Sequence, residues 1–437
     1  MNHLSPSRRP TIMPPKFIPN EQITDVLSLL PVKSLLRFRC LSKSLDSLIS
    51  NPNFIKLHLT RSSRNADFTL VSTSHLNVIF FTVFRLLHNP PIIINLPEDP
   101  NHQLADKGCL FVVGSCNGLL CLFSQFFTSD FNSVTLLRFW NPATRKMSPK
   151  LGYCLHKDMW FHPNLTFAYV NSTDTYKVLY LVPGETNVYV FSLGDNIWRT
   201  IQDSPVDHDY WINFVNLHDC ISWLAIRNYS ARYDFNNITL DQFVIVSLYL
   251  GTETHSQLSP PIGFREVPIF VPYLSLLKDN LCFSYDYKQT HLVVWQMKEF
   301  GVENSWIQLF NISYHNLQIY DHHLNDLDFR LLPLCLSEKS DTILLISTLE
   351  SEAILYNWRH NRAERIYKPW FNGMDYVESL VSLENELFFG NASKKKFNIF
   401  RILFIRVVFM GAQLKVTAAH FNVDQLAEIH EQLFSLV

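Results

Sequence analysis

The densest grouping of metal-ligating residue types in this 437-residue chain is DHHLNDLD, from Asp321 through His322 and His323 to Asp326 and Asp328. A transition metal needs imidazoles and carboxylates at spacings that let them converge, and this one fits no standard geometry, so it reads as a solvated loop. Asp203, Asp207, Asp209, Glu350 and Glu352 offer carboxylates, but acid–base work needs two of them close in space. Arg359, Arg362 and Arg365 beside Trp358 make a small basic face that reads as an exposed turn. With only 12 glycines, the chain carries no GxGxxG or GxxxxGK[ST] loop to cradle a phosphate, and neither a GxSxG elbow nor an HExxH helix occurs. The expectation is a protein without catalytic residues, metal or cofactor.

Composition narrows the class further. Apolar residues make up 47%, aromatics 14% and charged residues only 17%, which suits a compact, β-rich body. Lys plus Arg (37) nearly balances Asp plus Glu (39), so no global field draws the chain to nucleic acid or to an anionic membrane. The eight cysteines show no CxxC pair and no histidine partner at zinc-finger spacing, and read as reduced, mostly buried thiols. Residues 1–17 carry Arg8 and Arg9 but no apolar core or cleavage site, and read as a flexible proline-rich arm rather than a secretory signal. A cytoplasmic or nuclear protein is expected.

Two kinds of element must position whatever the chain binds. From Ile18 to about residue 60 the pattern is helical. Asn20 is placed to cap a helix presenting Ile23, Val26, Leu27 and Leu30, which Pro31 ends. Val32, Leu35, Leu36 and Cys40 outline a second helix. Ser42 can cap a third with Leu45, Leu48 and Ile49, and Asn53 a last turn with Phe54 and Leu57. About 40 residues of helix remove too little surface from water to stand alone, so some of these apolar side chains should face a partner or the rest of the chain.

After Arg61 the pattern turns to short β-runs. Strongly apolar segments (110–123, 176–182, 220–228, 281–287, 341–348) alternate with more amphipathic ones (136–146, 188–198, 243–253, 292–306, 353–366). The period is about 50 residues, that of four-stranded propeller blades. A punctuated connector and the first strands span 61–97, and the main β-region 98–395. In the tail, 396–437, the run 397–410 reads as a buried strand pair too short to span a membrane. An amphipathic helix follows, capped by Asn422, with Leu426, Ile429, Leu433 and Leu436 on one stripe.

The helical segment resembles the plant form of the F-box. Residues Leu30–Cys40 read LPVKSLLRFRC, that motif's own core wording, and the resemblance covers residues 18–60. GSCNGLLCL (114–122), WNPATRK (140–146), YKVLYLV (176–182), VYVFSLGDNIWR (188–199) and CISWLAI (220–226) resemble, in order, the recurring phrases of the F-box-associated domain.

The fold this implies is α+β multidomain: a small all-α F-box module followed by a large all-β, kelch-like propeller. The resemblance further implies a non-catalytic adaptor of an SCF-type ubiquitin ligase. Its helices would bind a Skp-type linker, and through it a cullin-RING ligase, while the β-domain holds a target protein. Ile18 and Pro19 stand at the motif's opening Leu-Pro, Val26 and Leu27 at its Ile-Leu, and Leu30 and Pro31 at its second Leu-Pro. Leu35 and Leu36 complete the linker-binding set. Two departures, Leu45 where the motif has tryptophan and Gln22 where an apolar residue is common, motivate an alternative: an interaction scaffold with weakened or lost ligase coupling. For target contacts, the segments 207–211 and 314–328 are the candidates, as loops held by a rigid scaffold.

Overall fold

The computed structural model describes residues 20–65, 69–74, 77–82, 103–127, 133–156, 164–208, 212–228, 233–319, 329–337, 341–347, 352–367 and 374–383. The expected strand pair and helix of the tail lie outside these residues, as do the DHHLNDLD cluster, Asp209 and Glu350.

Four helices open the fold: α1 (Asn20–Leu27), α2 (Val32–Arg39), α3 (Lys43–Ile49) and α4 (Pro52–Asn65). Pro31 separates α1 from α2, and Ser42 caps α3 by accepting from the Leu45 amide at 3.1 Å. The last helix differs from the single turn expected. Asn51, not Asn53, provides the cap, its Oδ1 accepting from Asn53 N at 2.8 Å, and Pro52 occupies the first helical position, where its missing N–H costs nothing. From there the helix runs 14 residues.

Apart from three single 3-10 turns, the remaining described elements form antiparallel sheets. A first sheet begins with the hairpin β1 (Thr69–Ser74) and β2 (Asn77–Thr82). The second holds β3 (Phe111–Cys116), β4 (Leu119–Phe127) and β5 (Ser133–Asn141), with β6 (Lys146–Met147) and β7 (Leu151–His156) both pairing β5. Next come β8 (Asn164–Val170), β9 (Thr175–Leu181), β10 (Val188–Ser192) and β11 (Ile197–Thr200) in the third. The fourth has β12 (Phe214–Leu217), β13 (Cys220–Ile226), β14 (Phe243–Tyr249) and β15 (Thr254–Leu258). The fifth has β16 (Tyr273–Leu277), β17 (Asn280–Tyr287), β18 (His291–Met297) and β19 (Trp306–Ser313). The sixth has β20 (Leu331–Ser337), β21 (Thr342–Ser347), β22 (Glu352–Asn357) and β23 (Arg362–Tyr367). Finally β24 (Met374–Tyr376) returns to pair β1, tying the last described strand to the first sheet.

Within each of the third to sixth sheets the strands lie in chain order, and consecutive sheets share one hydrophobic layer. First and second meet around Val71 and Trp140, second and third around Phe139 and Phe167, third and fourth around Trp223. Fourth and fifth meet around Phe283, fifth and sixth around Ile343. Middle strands are therefore covered on both faces, which is why β13, β17 and β21 read as nearly unbroken apolar runs instead of alternating. This architecture, a few helices followed by a large all-β body of sheets stacked in series, is consistent with a propeller.

Candidate functional site

The helical module has a small core of its own: Leu27, Val32, Leu35, Ile49 and Phe54, joined by Leu380 from the far end of the β-body. Ile23, Leu30, Leu36, Leu45 and Leu48 pack partly against it. The linker-binding set expected from the sequence is thus divided. Leu35 is wholly buried and Leu27 nearly so, since a helix in so small a bundle turns its central stripe inward. Leu30 and Leu36 are half-buried, Pro31 is exposed, and Ile18 and Pro19 lie outside the described residues. Val26 stands 61% exposed, with Leu29 at 62% and Leu41 at 69%, neither of which the sequence reading had singled out. Lys33, Arg37 and Lys43 are also exposed, so the module's open surface is apolar and cationic together.

The C-terminal half of α4 secures the α1–α2 corner. His58, 1% exposed, donates from Nε2 to the Leu30 carbonyl at 2.9 Å, which fixes its tautomer, and burial lowers its pKa. Arg61 reaches Asp25 Oδ1 at 2.8 Å and the Asp25 carbonyl at 3.0 Å, and also bonds the Ser28 hydroxyl. Arg39 bonds Asp46 at 2.7 Å, joining α2 to α3 and holding that carboxyl below the usual range. Of the two departures from the motif, Gln22 is exposed, where polarity costs nothing, and Leu45 is half-buried against the core.

The module meets the β-body at one end of the second and third sheets. Ile55 packs against both cores, Ala143 of the β5–β6 turn touches the helices, and Lys56 pairs with Asp174 of the β8–β9 turn at 2.9 Å. An antiparallel meander puts its first-to-second and third-to-fourth turns at this end. The second-to-third hairpins and the connections between sheets therefore fall at the opposite end.

At that opposite end, between the fifth and sixth sheets, lies a shallow crevice lined by Phe270, Tyr273, Tyr285, Asp286, Tyr314 and Phe329 among others. Asp286 is 5% exposed, and desolvation raises its pKa. Its oxygens are already engaged: Tyr314 donates its hydroxyl to Oδ1 at 2.7 Å, and the Gln289 amide donates to Oδ2 at 3.1 Å. The carboxylate thus caps the β17–β18 turn, where Lys288 and Gln289 both have positive φ, and is not free to act as a base.

Elsewhere the three arginines of the basic face have partners within the chain. Arg359 pairs with Asp341 at 2.9 Å, Arg362 with Glu364 at 3.4 Å, and Arg365 donates to the Gln318 carbonyl at 2.7 Å. All eight cysteines are free thiols. Burial pushes Cys116, Cys282 and Cys335 up to about 12, far from thiolate reactivity. Among the described residues no three His, Cys, Asp or Glu side chains group to hold a metal, and no helix is long and apolar enough to cross a membrane.

Comparison with known proteins agrees with this two-part arrangement. Residues 18–57 match the F-box domain and residues 70–383 the F-box associated beta propeller domain. The F-box protein CPR1 of Arabidopsis thaliana is 26% identical over 339 residues, covering 68% of this chain and 73% of that one. An F-box/kelch-repeat protein of the same plant is 26% identical over 316 residues, covering 68% and 80%. Among solved structures, a chain of a nidogen/laminin complex aligns over 71% of this chain and 99% of its own, with a TM-score of 0.36 and 9% identity, too distant a likeness to bear on function. The chain belongs to the F-box proteins that carry an F-box associated beta propeller domain.

Proposed function

We propose that this protein is the target-binding subunit of an SCF-type ubiquitin ligase. Its helical module docks to a Skp-type linker, and through it to a cullin-RING ligase. Its sheets form a six-bladed propeller that holds the target. The observation that carries the reading is the open surface of the module, where Val26 of α1 and Leu29 and Leu41 of the turns after α1 and α2 remain exposed while most other apolar side chains are used internally. Exposed apolar surfaces of this kind on a helical module are completed by a partner's groove. Val26, with the half-buried Leu30 and Leu36 and the neighbouring Pro31, forms the contact, together with Ile18 and Pro19. Leu27 and Leu35 support it from beneath.

The propeller reading rests on the serial stacking of sheets, whose first strands from the second sheet onward begin at 111, 164, 214, 273 and 331, and on β24 returning to β1. The end of the sheets away from the helices presents the target site; of the candidate segments 207–211 and 314–328, residues 207–208 and 314–319 lie there, and the others fall outside the described residues. Such an adaptor forms no bonds itself. It raises the local concentration of a target lysine near activated ubiquitin, and works in the cytoplasm or nucleus. The exposure of Gln22 and the partial packing of Leu45 favour retained linker binding over the scaffold alternative.

Co-purification of the full chain with a Skp-type linker tests the reading. A stoichiometric complex that supports ubiquitin transfer in a reconstituted ligase is expected. A chain that stays apart from the linker at micromolar concentration, while its Leu45→Trp variant binds, would instead establish the decayed scaffold.

A further inference from the structure

After β24 the chain does not leave the fold. Residues 377–382 are neither helix nor strand, and the contacts of the segment up to Leu383 divide between the helices and the second sheet. Leu380, 5% exposed, enters the helical core beside Leu35 and Phe54. Val381 and Leu383 enter the layer between the second and third sheets. Asn141, wholly buried, donates from Nδ2 to the carbonyls of Ser379 at 3.1 Å and Val381 at 2.9 Å, while its Oδ1 accepts from Thr144 N at 3.2 Å. Ser379 donates its hydroxyl to the Asn117 carbonyl at 2.6 Å. Gly118, at φ +77, leaves the space the strap fills: a Cβ there would lie 2.7 Å from both the Val377 carbonyl oxygen and Ser379 Cβ.

We propose that Val377–Leu383, gripped by Asn141 and seated on Gly118, is a positioning strap that locks the helical module at one angle against the sheets. Ile55, Ala143 and the exposed Lys56–Asp174 pair give the module only a partly buried seat on the sheets, and Leu380 adds a buried anchor on a segment itself bonded to the second sheet. The functional value rests on the ligase reading above, because proximity transfer requires the linker surface and the target surface to keep a fixed separation. The strap itself is a property of the isolated chain.

Pulsed electron spin resonance between labels on the exposed native Cys40 and on Gln308→Cys of β19 reads the coupling directly. The unaltered strap should give one narrow distance distribution. Gly118→Ala should widen it at least about twofold by displacing the strap. Gly184→Ala, with nearly the same φ of +76 but open space around it, carries the same backbone strain and should leave the width unchanged. Ser379→Ala, a milder change that removes only the hydroxyl, should widen it by less and remains decisive if Gly118→Ala does not fold. Widths for folded Gly118→Ala or Ser379→Ala equal to that of Gly184→Ala would overturn the proposal. Failure of the chain to bind a Skp-type linker would count against the ligase reading alone, since the distance experiment uses no linker.

Discussion

In the helical module six side chains make the buried core, and one of them, Leu380, is borrowed from more than 300 residues away. In the sheets, by contrast, each middle strand is covered on both faces by its neighbours, so that Trp223, Phe283 and Ile343 sit in shared layers with no exposure at all. The module leaves Val26, Leu29 and Leu41 open, and the sheets supply the rigidity against which it is held. A small element can thus afford an unfinished surface only because a larger one stabilises it.

The largest effect should come from Trp223→Ala. Emptying that site between the third and fourth sheets should cost about 3–5 kcal/mol and lower the urea midpoint of the whole β-body. Leu35→Ala should cost about 2–5 kcal/mol but act locally, with amide exchange rising across 20–65 while β9, β13 and β17 stay protected. Loss of protection in those strands as well would break the distinction between the two regions.

Acid should act on the β-body through His208, which is 1% exposed and held neutral by burial at about 4, against an ordinary value of 6.5. Its Nδ1 donates to the Val182 carbonyl at 3.3 Å, and the groups facing it include His255, whose own pKa is lowered by burial, with Asp203 and Asp207. The unfolded chain takes up this proton first as pH falls through 6.5, so the stabilisation is complete above that value and lost progressively toward pH 4. At most about 3 kcal/mol is involved, and denaturation midpoints of His208→Gln should depend less on pH across that window. His58 shifts in the same direction in the module, so His58→Gln should flatten only the local exchange of α1 and α4. The smallest effect belongs to the Lys56–Asp174 pair, both side chains 62% exposed: Lys56→Ala should change stability by less than about 1 kcal/mol, with no change in linker binding.

Much of this was legible in the sequence for a physical reason. The two interleaved series of apolar segments are the second and third strands of successive sheets, where burial on both faces or strict pairing forces hydrophobicity. First and last strands such as β12 (FVNL) and β15 (THSQL) are short, partly exposed and without periodicity, and nothing in the pattern announces them. Asn117-Gly118 marks the β3–β4 hairpin, but others hid for a related reason. Lys278 and Asp279 both take positive φ without a glycine, so the usual turn residues are missing. Within the module the motif wording located α1 to α3, but His58 and Arg61, which secure the α1–α2 corner, lie past the residues 18–57 that match the F-box domain. Sequence spacing could not show that Leu27 and Leu35 point inward, because helical periodicity marks one apolar stripe without saying which of its members a neighbouring helix covers. Leu380 carries no local signal, since its contacts are entirely long-range.

In the proposed complex the module's exposed apolar side chains dock a Skp-type linker while its buried ones only hold it together. Calorimetric titration of a purified linker into the full chain, into Val26→Asp/Leu29→Asp and into Ile262→Asp tests it directly. Ile262 is 79% exposed on the β-body and provides the control for a surface charge placed elsewhere. Binding is expected from the unaltered chain and from Ile262→Asp, with a loss of at least about a hundredfold for the module variant while its helices stay intact. Equal affinity for all three would contradict it.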